Sequence, residues 1–203
     1  MNDAIAQAFP FVMAPHGGQL EWSKQYGTRY IATAVGVVRE IVLPWVQIRH
    51  AIGMTDLKMP YGSIQDEVSF LCGPVPRELF AKFKMDAKLA YPKECAGAFV
   101  WNQVSGAWRY EARTNIEATD SHVHFHEVHL ADGEQLVVDI HSHGTWPAFF
   151  SETDDKDDEG AMRLSVVLGN VMEGGGTSAA RLCMAGKFFA ASLGADGQVM
   201  VTL

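Results

Sequence analysis

Leu136-Val137-Val138-Asp139-Ile140-His141-Ser142-His143-Gly144, continued by Thr145-Trp146-Pro147-Ala148-Phe149-Phe150-Ser151-Glu152-Thr153-Asp154, is the stretch that decides how this chain is read. The run from Leu136 to Ile140 is apolar except at Asp139 and rich in β-branched residues, which predicts a buried strand ending at His141. Side chains two apart on a strand share a face, so His141 and His143 point the same way while Ser142 turns to the other side. Ser151 opens a predicted helix, and Asp154 lies one turn beyond it. Two imidazoles and a carboxylate so placed make a three-ligand zinc site with a fourth position open to water, which marks catalytic rather than structural zinc.

The flanking sequence predicts an α/β (α+β) domain. Leu79, Phe80, Phe83, Ala87 and Ala90 fall on one stripe, predicting a helix over 76–90 that opens on Pro76 and stops at Tyr91-Pro92. Residues 95–102 and 108–113 read as hairpin arms joined around Ser105-Gly106. Residues 123–130 read as a strand, with Asp132-Gly133 as the turn before the histidine strand. Beyond it come a helix over 151–162, a strand over 164–168 and a flexible loop over 173–177. The tail reads as strands over 180–185, 188–193 and 198–203, with a tight turn at Asp196-Gly197. The first thirty residues form a poorly periodic lead-in. Residues 30–38 and 41–48 read as strands separated by Arg39-Glu40, with Pro44 marking an edge or a bend. A boundary near Gly73-Pro74 divides a small β-rich extension, 1–73, from the main domain, 74–203.

The 203 residues carry a formal net charge of −8 and no basic run, which argues against nucleic acid and anionic membranes as partners. Cys72, Cys95 and Cys183 are odd in number, far apart and without CxxC spacing, so neither a disulfide framework nor a cysteine zinc site is expected. No basic residue precedes Lys24 and no apolar stretch reaches a bilayer-spanning length, so the expected location is cytoplasmic.

The spaced residues resemble the motif of the JAMM (JAB1/MPN/Mov34) metalloprotease family: a distant Glu, then His-Ser/Thr-His, seven residues, Ser, two residues, Asp. Gly144 to Phe150 supplies the seven, and Glu152 and Thr153 the two. Pro92-Lys93-Glu94-Cys95-Ala96-Gly97 matches the Pro-x-Glu-Cys-x-Gly stretch that carries the family's Glu. The resemblance covers Pro76 to the C-terminus and implies a JAB/MPN-type mixed, curved sheet flanked by helices. It also implies Glu94 as general base, His141, His143 and Asp154 as zinc ligands, and Ser151 as the donor that steadies an oxyanion. Many members carry Pro after the second His; Gly144 stands there, a departure expected to bear on loop stiffness more than on chemistry. Asp139-Ile-His-Ser-His-Gly and Ala148-Phe-Phe-Ser-Glu-Thr-Asp-Asp, with Arg39-Glu40 and Pro44-Trp45, further resemble the PRTRC-type group, whose bacterial gene clusters also encode proteins similar to ubiquitin-activating and ubiquitin-conjugating enzymes. That likeness implies a peptidase or isopeptidase acting at the C-terminus of a ubiquitin-like protein or its conjugate, held as an added strand.

Each of these residues also has a plainer reading. Ser151-x-x-Asp154 is close to a helix capping box, and the two roles can coexist. Glu94 taken alone is a surface carboxylate. His122, His124 and His126 share one strand face, as a second metal site or as solvent-facing histidines. Trp146, Phe149 and Phe150 either pack beneath the loop or line a substrate groove. The acidic run from Asp154 to Glu159 reads mostly as a solvated helix face. A catalytically silent JAB/MPN-type binding module is the principal rival; a zinc nucleoside deaminase would need a Pro-Cys-x-x-Cys stretch, which is absent. The oligomeric state is left open.

Overall fold

Alternating runs of branched residues and few helical stripes give an α+β chain, and the computed structural model bears this out over residues 2–113, 115–119, 122–125, 128–172, 174 and 176–203, with side chains described over 4–113, 128–172, 174 and 176–203. Contacts divide it into two units, residues 1–71 and 72–202.

In the first unit, helix α1 (Asn2–Ala8) precedes β1 (Phe11–Met13), β2 (Gly27–Thr33), β3 (Gly36–Val42), β4 (Val46–Met54) and β5 (Glu67–Phe70). They form one sheet in the order β1-β2-β3-β4-β5, with β1 parallel to β2 and the rest antiparallel. Ala14, Ile31 and Val38 form its apolar centre, with Val12, Leu20 and Ile64 against them. Pro44 marks a bend, as expected, between β3 and β4. Arg39-Glu40 does not separate two strands; both residues lie inside β3. Glu40 stands opposite Arg29 on β2 and Arg49 on β4, and hydrogen bonds of 2.9 and 2.8 Å from these arginines neutralise its fully buried carboxylate. A charged pair reads as a strand break only when its cross-strand partners are unknown. Neither α1 nor β5 was expected, because the described side chains of α1, residues 4–8, are all exposed and β5 is four residues long.

In the second unit, helix α2 (Arg77–Ala90) begins after Pro76 and ends at Tyr91, burying Leu79, Phe83 and Ala87. There follow β6 (Ala96–Asn102), β7 (Trp108–Arg113), β8 (Asn115–Thr119), β9 (His122–Phe125), β10 (Glu134–Ser142), helix α3 (Glu152–Asp158), β11 (Met162–Gly169), β12 (Thr177–Met184), β13 (Phe188–Leu193) and β14 (Val199–Val201). Seven strands make a mixed sheet in the order β14-β13-β12-β11-β10-β6-β7, and β8 pairs with β9 apart from it. β10 and β11 are parallel, so the chain between them must cross over, and α3 lies on that crossover. The expected strand over 123–130 is shorter: residues 128–130 are not strand, and His126 and Glu127 lie outside the described residues. The helix expected to reach Met162 stops at Asp158, because Met162 is already the first residue of β11.

The two faces of this sheet differ in chemistry. Phe99, paired with Tyr110 and Val138, faces α2, where its ring meets Phe80 edge-on at 4.8 Å. Asp139, Ser165 and Arg181 stand side by side on β10, β11 and β12, with side chains on the opposite face. There Asp158 of α3 accepts from Arg181 Nε and a terminal nitrogen at 3.0 and 2.7 Å, from Arg163 at 2.9 Å and from Ser165 Oγ at 2.9 Å. The acidic run is therefore not all solvated; Asp158 is 4% exposed. Arg163 also bridges to Asp139, which takes two further bonds from Arg113.

Burial by itself raises the Asp158 carboxyl, but hydrogen bonds from Arg181 and Ser165 and the Arg163 charge outweigh it and hold the group below its ordinary value. The stabilisation is complete above the unfolded aspartate value of about 3.9 and is lost as the pH falls through the lower folded value. Asp158→Ala should leave Arg163 with Asp139 and Arg181 with Asp155 as their remaining acidic partners and lower stability by about 3 kcal/mol, read from the denaturant midpoint at neutral pH. The variant should also lose less stability than the wild type as the solution is acidified below about pH 4.

Candidate metal centre

β10 carries His141 to the last pair but one of its ladder with β11, opposite Val167, and Ser142 closes the ladder opposite Leu168. Contact runs one residue beyond the ladder, because the His143 N–H donates to the Leu168 carbonyl at 2.8 Å. Between the two histidines, Ser142 points inward, is fully buried, and its Oγ accepts from the Cys95 N–H at 3.1 Å. This bond ties the residue after Glu94 to the strand that carries both imidazoles.

The imidazoles converge. His141 Nε2 lies 3.2 Å from His143 Nε2 and 3.4 Å from Asp154 Oδ1. Ligand atoms of His141, His143 and Asp154 all lie within 4.8 Å of one another. With zinc bonds of about 2.0–2.1 Å, adjacent corners of a tetrahedron are about 3.3 Å apart, so the two separations from His141 match those expected around one ion. The donor chemistry fits as well. His143 Nδ1 faces the Pro147 carbonyl at 3.3 Å, which puts the proton there and leaves a lone pair on Nε2. Burial pulls the His141 imidazole below its ordinary value, against the opposing pull of the Asp154 carboxylate, and so keeps it in the neutral, ligating form. Lone pairs and a carboxylate oxygen pointed at one spot repel unless a cation stands between them.

Ser151 is the N-cap of α3 and forms a reciprocal capping box with Asp154. The Ser151 N–H and hydroxyl donate to Asp154 Oδ2 at 2.6 and 2.7 Å, and Ser151 Oγ accepts from the Asp154 N–H at 3.3 Å. One carboxylate oxygen is thus held by the cap and the other is left for the histidines. Glu94 lies in the electrostatic neighbourhood of the group. Burial raises its carboxyl, the His143 charge lowers it, and the Asp154 charge adds to the rise, leaving it above its ordinary value.

The intervening aromatics differ in exposure. The Phe149 ring meets the His143 ring edge-on at 4.6 Å yet stays 50% exposed, and Trp146 is 68% exposed. Phe150 turns inward to cover the Arg181 guanidinium at 3.9 Å. The histidine face expected on residues 122–126 falls outside the described side chains.

A family model described as prokaryotic homologues of the JAB domain matches residues 76–183, more than half of the chain. The chain belongs to this family. The JAMM resemblance drawn from the motif agrees with that membership, and both histidines and Asp154 lie inside the matched segment. A second model, described as a domain of unknown function (DUF2016), matches residues 1–71. Neither the curated proteins nor the solved structures give a match.

In this JAB domain, Gly144 matters for more than loop stiffness. It sits at φ +53°, closed to proline, and a Cβ there would meet the Pro92 carbonyl oxygen at 2.3 Å. The loop after the histidines therefore lies directly on the backbone leading into Glu94. At Gly169 a Cβ would strike the backbone of Pro147 and Ala148, which seats the far side of the same loop on β11. Gly144→Ala should cost about 1–3 kcal/mol from left-handed strain and displacement of residues 92–93. A thermal melt should show the loss, and weakened metal binding in the same variant should show that the loop positions the site.

Proposed function

We propose that this JAB domain is a zinc-dependent peptidase or isopeptidase, cleaving at the C-terminus of a ubiquitin-like protein or its conjugate. The convergence of His141 Nε2, His143 Nε2 and Asp154 Oδ1 supports the reading most directly. Zinc, when held by these three residues, supplies a Lewis acid and a water of lowered pKa at its open position.

The chain's own groups supply the rest. Glu94 is not one of the three converging donors, and its raised carboxyl suits a group that takes a proton near neutral pH and returns it to the leaving amine. The Ser151 hydroxyl, now donated to Asp154, can turn to a developing oxyanion while the Ser151 N–H keeps its own bond to Asp154. The exposed faces of Trp146 and Phe149 offer an apolar border on which an extended substrate can lie.

Purified protein should hold zinc near one equivalent by elemental analysis, and His141→Ala or Asp154→Ala should lose most of it. Glu94→Gln should retain zinc while cleavage of ubiquitin-like conjugates falls by about 10²–10⁴-fold. Turnover by that variant equal to the wild type would remove Glu94 from the mechanism. Zinc and conjugate binding without cleavage by the wild type would favour the silent binding module.

A further inference from the structure

α2 packs against β6 and β7, on the face of the sheet opposite the metal centre. Beyond the helix, β11 continues the same face, and a cavity of about 550 Å³ opens between α2 and that strand. Its floor is apolar, with Val166 and Leu168 of β11 and Phe80 of α2. Its rim carries Arg77, Lys84 and Lys88, which fall on one side of α2 next to the buried stripe of Leu79, Phe83 and Ala87. All three cations are exposed, and none is in an ion pair among the described residues. No Asp or Glu of the described residues lines the cavity.

Three exposed cations thus border an apolar floor in a chain whose net charge is −8. Repulsion among unpaired cations is relieved by an anionic occupant. The row from Arg77 to Lys88 spans about 16 Å of helix at about 1.5 Å per residue, too long for one anionic headgroup to engage. An extended segment rising about 3.3 Å per residue covers it in about five residues, and its alternate side chains point to opposite sides. We propose that this groove binds an extended peptide segment of a partner protein in which acidic and large apolar residues alternate, the acids meeting Arg77, Lys84 and Lys88 and the apolar side chains entering over Val166 and Leu168. The site lies across the sheet from the metal centre and does not depend on hydrolysis.

Fluorescence anisotropy on the full chain tests this, with a fluorescein-labelled peptide of alternating glutamate and leucine. Saturable binding should weaken with added salt, as an ionic rim requires. Lys84→Glu combined with Lys88→Glu should reduce affinity by about tenfold or more, whereas Lys82→Glu, on α2 but outside the cavity, should change it less than about twofold. Both substitutions are at exposed positions, and circular dichroism should show an unchanged fold. Glu94→Gln should bind the peptide as the wild type does, which separates this site from the proposed catalytic one. Absence of saturable binding, an equal loss with Lys82→Glu, or an oligothymidylate binding as tightly as the peptide would each overturn the proposal.

Discussion

Arg181 lies in the middle of β12 with its guanidinium between the rings of Phe150 and Phe188, at 3.9 and 4.1 Å. Its carboxylate partners, Asp155 and Asp158, both belong to α3. A seven-residue helix has little stability of its own, so its position comes from what it packs against. Here it is seated by buried, hydrogen-bonded charge. The same seat fixes where the first turn of α3 faces, and with it the direction of Asp154 Oδ1. Charged groups under a helix are an expensive anchor, but they are directional in a way apolar packing is not, and that direction aims Asp154 Oδ1 at His141.

The centre is assembled by couplings that each hold two things at once. Ser142 turns its back on the site and ties the Glu94–Cys95 backbone to the histidine strand. Gly144 lets the following loop lie on the Pro92 carbonyl. The capping box holds one oxygen of Asp154 and frees the other, so the structural and chemical readings of Ser151-x-x-Asp154 are the same arrangement. These contacts leave the three converging donors little room to drift, so their geometry is set before anything binds. The first unit uses related physics: Glu40, wholly buried, is held between arginines of the two neighbouring strands, and Arg49 lies over the Trp22 ring at 4.0 Å.

Much of the fold and the site was legible because the relevant patterns are local. The stripe of Leu79, Phe83 and Ala87 announced α2, Tyr91-Pro92 its end, and Asp196-Gly197 the last hairpin. The paired histidines followed from strand periodicity alone. The errors share one cause. Arg39-Glu40 read as a break and Asp158 as solvated because a charge in sequence looks like a demand for water. Both Glu40 and Asp158 are satisfied by arginines, the former nine and eleven residues away and the latter five and twenty-three. The weight of Gly144 was hidden for the same reason, since its neighbour Pro92 lies on a different segment.

The sequence by itself determined most element types of the second unit, the order of the three converging donors and the face on which His141 and His143 stand, because backbone periodicity and motif spacing act over a few residues. Tertiary structure alone decided that Asp154 meets His141, that Glu94 is desolvated beside them, and that Glu40 and Asp158 are buried. Those outcomes depend on the parallel crossover from β10 to β11 and on arginines from separate strands, and no local pattern encodes a contact made only when distant strands come into register.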